Sequence, residues 1–154
     1  FRLANECIDK YRYLGTKINE YGINTSSWIS HSIQEARLCS HMATCIQVDP
    51  NVAYKMGLLH DYSVYKNNTS FNHAQLSSEL ARKMLEESLL FENKEIDIIV
   101  QAIKNHSTKN KVHDQYSELL KMCDVLETYY HDPDCIFDEY HQKYIEKASL
   151  LLNK

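Results

Sequence analysis

Apolar residues recur along this chain at helical spacing. Ala36, Cys39, Ala43 and Ile46 make one stripe, Ile96, Ile99 and Ile103 a second, and Tyr144, Ile145, Ala148, Leu151 and Leu152 a third. Steps of three and four residues put such positions on one face of a helix. Alternation of β-branched residues is nowhere sustained, so the pattern predicts helices over roughly 2–20, 27–47, 50–61, 72–89, 93–106, 114–130 and 137–152. With three Gly and two Pro in the whole chain, little material is left for turns. The expected fold class is all-α, a bundle of helices joined by short loops.

Several helix starts have a local cause. Asp49 precedes Pro50, which places a capping carboxylate ahead of a proline whose missing N–H does no harm in the first turn. Asn72 is expected to cap the next helix, with Gln75 reaching back as in a capping box. Asp114 can cap the helix after the polar stretch STKNK at 107–111. Pro133 breaks the chain within HDPDC. No repeat or linker divides the sequence, and residues 1–154 read as one domain, long enough to bury a core without disulfides. The chain begins with Phe1 rather than Met, which leaves a preceding segment open.

Composition narrows the choice of partner. A net charge of -4 makes no electrostatic case for nucleic acid, so none is expected. No apolar run approaches the length of a bilayer span, and the N-terminal FRLANECIDKYRY lacks the basic-then-apolar layout of a signal peptide. The expectation is a cytoplasmic protein with no membrane partner. Five cysteines, with no CxxC among them, read as reduced thiols.

Candidate chemistry begins with a dipeptide. His-Asp occurs at 60–61, 113–114 and 131–132. His60 ends an apolar helix one turn beyond Met56 and Gly57, on the face of Val52 and Met56, and Gly57 would let a neighbouring helix come close. The other two pairs fall in polar, turn-prone stretches and read as caps and surface residues. A buried His-Asp needs partners, because an ionised carboxylate away from water costs several kcal/mol unless paired or bound to metal. His31 lies near the start of the second helix, and His106 continues the stripe of Ile99 and Ile103. Asp124 interrupts the apolar LLKMCDVLE, and His73 opens the helix of Ser77, Leu80 and Met84. Taken singly, each histidine reads as well as a hydrogen-bonded core residue, and a lone buried Asp as the partner of Arg37 or Arg82.

The ordered set His31, His60-Asp61, His73, His106, Asp124 resembles the HD-domain superfamily of metal-dependent phosphohydrolases over about residues 27–130. The surrounding words GLLHD, AIKNHS and LLKMCDVLE are similar as well. The resemblance implies that His31, His60, Asp61 and Asp124 bind one divalent transition metal (Fe, Mn, Co, Ni or Zn). It also implies that His73 and His106 hold a second ion with Asp61 as the bridge. Neutral imidazoles and carboxylates suit these metals. Asp61 and Asp124 would then orient a metal-activated water for attack at phosphorus, so no Ser or Cys nucleophile is needed.

Within the superfamily, the layout from AIKNHS to CDVLE is most like the branch that hydrolyses symmetrical dinucleoside tetraphosphates, in which Glu127 has a counterpart. The chain departs from its relatives at Val64, where many have lysine, at Trp28 and Ile29, where that branch has arginine, and in the glycine-free STKNK. The expected substrate is a small phosphorylated compound, a nucleotide first. Lys66, Lys109 and Lys111, with Ser107 or Thr108 as donors, are the candidate phosphate contacts. Tyr62 and Tyr65 could stack on a base or pack in the core. Two further readings keep the fold: a regulatory module with weak or no turnover, and a diiron oxygenase. Oligomeric state is left open.

Overall fold

The computed structural model describes residues 2–19 and 26–153, with side chains described over 8–18 and 30–153. The side chains of Trp28 and Ile29 lie outside the described residues. Eight helices are described: α1 (Arg2–Asn19), α2 (Ser26–Cys45), α3 (Pro50–Leu59), α4 (Tyr62–Asn67), α5 (His73–Ser88), α6 (Asn93–Asn105), α7 (Gln115–His131) and α8 (Glu139–Leu152). No strand occurs among the described residues. The fold is all-α.

Local signals act largely as the chain's chemistry requires. Asp49 accepts a hydrogen bond from Asn51 N–H and Asp114 one from Ser117 N–H, so both cap their helices. Asn72 does not cap. It adopts φ 49°, ψ 36°, makes no side-chain cap bond, and Gln75 instead donates to Glu79. The tight turn into α5 needs a left-handed residue, which Asn tolerates, and that conformation is incompatible with the extended backbone of a capping residue.

The predicted helix over 50–61 is α3, and a second, unpredicted helix, α4, lies just beyond it. α3 stops at Leu59, Asp61 takes φ -112°, ψ 26°, and α4 follows at once. The sequence pattern missed α4 because its six residues are too short to display a period. The break matters for position: neighbours in a continuous helix point about 100° apart and do not face each other. Here His60 Nε2 and Asp61 Oδ2 lie 3.1 Å apart.

The interior is built from Leu14, Met42, Met56, Leu59, Leu85, Ile99, Ile103 and Leu120, all fully buried. Helix α2 packs on α3 and α7, and α6 on α3, α5 and α7. Gly57 sets the closest approach, since a Cβ there would stand 2.9 Å from the Ala36 Cα. No side chain fits at that crossing without moving α2, which carries His31, relative to α3, which leads into His60. Helix α8 closes the core through Tyr144 and Ala148, while Leu152 stays partly exposed. Cys39, Cys45, Cys123 and Cys135 are free thiols. No helix among the described residues is long and apolar enough to cross a membrane.

A candidate metal centre where five helices meet

Helix ends assemble the site. His60 caps the C-terminus of α3 and His106 that of α6, where the last carbonyls lack helical partners. Each ring supplies one: His60 Nδ1 pairs with the Gly57 carbonyl and His106 Nδ1 with that of Ile103, both at 2.6 Å. His73, the first residue of α5, does likewise with the Ser70 carbonyl at 3.1 Å. His31, on α2, holds Glu127 Oε1 at 3.0 Å through Nδ1. An Nδ1–H held by an oxygen leaves Nε2 as a bare lone pair, the arrangement by which proteins present histidine to a metal.

All four Nε2 atoms face Asp61. Oδ2 is 3.1 Å from His60 and 3.8 Å from His31, whereas Oδ1 is 3.7 Å from both His73 and His106. The carboxylate thus divides the histidines into two pairs, one to each oxygen. Asp124, on α7, stands 3.8 Å from His60 Nε2 on one side and accepts from Lys109 Nζ at 2.9 Å on the other. The structure therefore brings His31, His60, Asp61, His73, His106 and Asp124 into one cluster. Groups of three within it are close enough to share an ion: His31, His60 and Asp61, and separately Asp61, His73 and His106.

The donor set itself tests the fit. Glu35 Oε1 and Oε2, His60 Nε2, Asp61 Oδ1 and His106 Nε2 are all buried without a hydrogen-bond partner. Buried polar atoms almost always find partners, and orphaned ones cost about 1–3 kcal/mol each. Five orphans of ligand type in one cluster fit divalent cations, which would satisfy them together.

Glu35 was not anticipated from the sequence. It follows His31 by four residues on α2, is fully buried, and its Oε2 touches His60 Nε2. The signal was present, because a glutamate one turn from a candidate ligand and adjacent to the Ala36 stripe interrupts an apolar face. His131 was read as a surface residue. Its ring is exposed, but Nε2 bonds Glu127 at 2.7 Å, on the same oxygen that holds His31. His113 is half-buried and accepts from the buried Lys121, away from the cluster.

The candidate phosphate contacts separate. Lys109 reaches the centre, bonding Asp124 and the His106 carbonyl. Lys66 does not; it lines a groove with Lys17, Lys83 and Glu87 that includes none of the cluster residues. Five residues along a helix turn a side chain about 140° away, so Lys66 faces elsewhere than Asp61, and the buried Val64 takes the inward position. Ser107 is exposed in the turn after His106. Tyr62 and Tyr65 are buried edge-to-face in the core and are not available to stack on a base. Arg82 pairs with Glu86 and Asp97, so Lys109 and not Arg82 is the cation at Asp124.

Residues 28–129 match the HD domain family, which is two thirds of the chain. This chain belongs to the HD domain family. Curated relatives named Ribonuclease Y share 29% identity over 115 residues in Chlorobium luteolum and 32% over 117 in Lawsonia intracellularis. Each alignment covers 75% of this chain, but only 20% and 21% of the respective relative. The chain thus spans about a fifth of the length of the curated relatives it matches. No solved structure matches at comparable significance. These relatives give no support to the dinucleoside tetraphosphate branch. The motifs that suggested it, AIKNHS and CDVLE, carry the metal-type residues of the HD cluster, and that cluster does not by itself discriminate substrates.

Charge in the HD cluster predicts a pH response. Burial pushes the Glu35 carboxyl up to about 7. Burial alone would lower His60, but Asp61 and Glu35 raise it well above 6.5; His31 is raised by its bond to Glu127. Folded Glu35 keeps a proton that the unfolded chain releases between 4.5 and about 7, so its contribution falls as pH rises through that window, by roughly 3 kcal/mol. The two histidines contribute fully below 6.5 and lose their share as pH rises through their raised values. Metal-free protein should therefore melt at a lower temperature near pH 8 than near pH 5.5, with divalent metal restoring the loss. Calorimetry in chelator that showed a flat or rising Tm over this range would contradict the charge assignment.

Proposed function

We propose that this chain is a metal-dependent phosphohydrolase, acting on a nucleotide or on the phosphodiester bond of a short RNA. The observation that carries the reading is the orientation of four histidines, each with Nδ1 held and Nε2 turned towards Asp61. In this reading His31, His60, Asp61 and Asp124 hold one divalent ion, and Asp61, His73 and His106 a second. Bound divalent ions would supply an acidified water and neutralise charge on phosphoryl oxygens. The protein's own groups position the reaction. Asp61 and Asp124 accept protons and fix the water's direction, and the buried walls keep bulk solvent from the centre. Residues 1–154 are taken as one HD-type domain.

RNA as substrate has two supports. One is the name of the relatives. The other is a cavity of about 330 Å³ that begins at Lys109 and is lined by Lys111, Lys143, Lys147, Tyr140, Tyr144 and Glu118. Four lysines against one glutamate make this groove locally basic although the chain carries -4 overall, and net charge averages such a feature away. A larger cavity of about 520 Å³ between Lys10, Lys55 and Glu95 is a poorer candidate, because Glu95 already pairs with both lysines.

A panel of nucleotides, dinucleoside polyphosphates and short single-stranded RNAs, with and without chelator, tests the reading. Slow, broad, chelator-sensitive hydrolysis is expected, since lysines bind phosphate as point charges and select geometry weakly. Lys109→Ala should raise KM more than it lowers kcat, by about 1–3 kcal/mol. Lys66→Ala, the other candidate, should change neither. No hydrolysis of any member by metal-loaded protein would favour the regulatory alternative, and turnover that required dioxygen the oxygenase.

A further inference from the structure

Glu35 is the buried group that the proposed site leaves without a task. Its side chain is wholly inaccessible, neither carboxylate oxygen meets a partner outside the cluster, and Oε2 touches His60 Nε2. That nitrogen is a lone pair, because His60 Nδ1 donates to the Gly57 carbonyl. Such a contact holds only with a proton or a cation between the two atoms, and a divalent ion bound there would displace the proton. Glu35 Oε2 is also 3.7 Å from His31 Nε2. With His60 and Asp124, Glu35 offers ligand atoms that all lie within 4.8 Å of one another.

Apart from the Glu35–His60 contact, which is closer, the distances among the donors match a shared ion. Ligands held at about 2.1 Å from one metal lie about 3–4.2 Å from each other, whether adjacent or opposite. His60 to Asp61 is 3.1 Å, Glu35 to His31 is 3.7 Å, and His31 to Asp61 and His60 to Asp124 are 3.8 Å. We propose that Glu35 is a direct ligand of the ion held by His31, His60, Asp61 and Asp124, a proposal that rests on reading the cluster as a metal centre. Five protein donors then surround the first ion and three (Asp61, His73, His106) the second. The two positions are unequal by construction: the first is nearly closed and holds its ion tightly, and the second keeps the open places that water and a phosphoryl oxygen need.

Titration of wild type and Glu35→Gln with Mn²⁺ against a chromophoric chelator tests this. Wild type should show a tight and a weaker site, and Glu35→Gln should weaken the tight one about tenfold or more, moving the other less. His73→Ala should do the reverse. Retention of the tight affinity within threefold in folded Glu35→Gln would overturn the ligand assignment while leaving the metal centre intact. Wild type that took up no Mn²⁺, Co²⁺, Fe²⁺, Ni²⁺ or Zn²⁺ would instead overturn the metal centre, and the proposal with it. Should the variant fail to fold, an anomalous-scattering map from wild-type crystals grown with Mn²⁺ decides: an ion bonded to the Glu35 carboxylate supports the proposal, and an ion with no such bond overturns it.

Discussion

Asp61→Ala should leave a folded protein that retains neither ion. Its two oxygens face different histidine pairs, His31 and His60 on one side and His73 and His106 on the other, so one truncation removes a donor from both positions. His73→Ala or His106→Ala removes a donor from one position only and should cost a single ion. Where wild type hydrolyses a phosphoester, Asp61→Ala should lose about 10³-fold or more, because the several kcal/mol of charge stabilisation supplied by metal go with it. Circular dichroism checks the fold and metal analysis the stoichiometry. Full metal content in Asp61→Ala would remove the basis of the proposed site.

The second large effect should come from a residue that need not touch an ion. Glu127 holds the His31 ring through Nδ1 at 3.0 Å, and burial, which alone would raise its carboxyl, is outweighed by the bond to His31. Without Glu127 the ring loses the bond that holds Nδ1, and its basicity falls. Partners of this kind typically contribute 10–100-fold to metal affinity. Glu127→Ala should show that loss, and Glu127→Gln less, since the amide oxygen still accepts. His131 shares the same carboxylate oxygen but is exposed, so His131→Ala should move affinity far less. Unchanged metal affinity in Glu127→Ala would mean that packing alone orients His31.

Recognition of the helices needed only the chain. Apolar spacing over α2, α6 and α8 and the capping carboxylates Asp49 and Asp114 are local properties, set within a few residues. They predicted the all-α class, and Gly57 foretold a close crossing that the structure places at Ala36. The order of His31, His60, Asp61, His73, His106 and Asp124 resembles the HD-domain set, and it was that resemblance, not periodicity, that implied they meet.

Tertiary structure decided the rest. The break between α3 and α4 turns His60 and Asp61 towards one point, and no periodicity could display so short an interruption. The roles of Glu35, Glu127 and His131 depend on how α2 and α7 are set against the end of α3, a relation that joins residues such as His31 and Glu127, 96 positions apart. Lys66 and Lys109 looked equivalent as lysines near motifs; helix rotation carries one away, and the turn after α6 folds the other onto Asp124. Sequence records which groups lie on a helix face. Which groups face one another across the core is settled by packing, because it depends on helix crossings that no single segment contains.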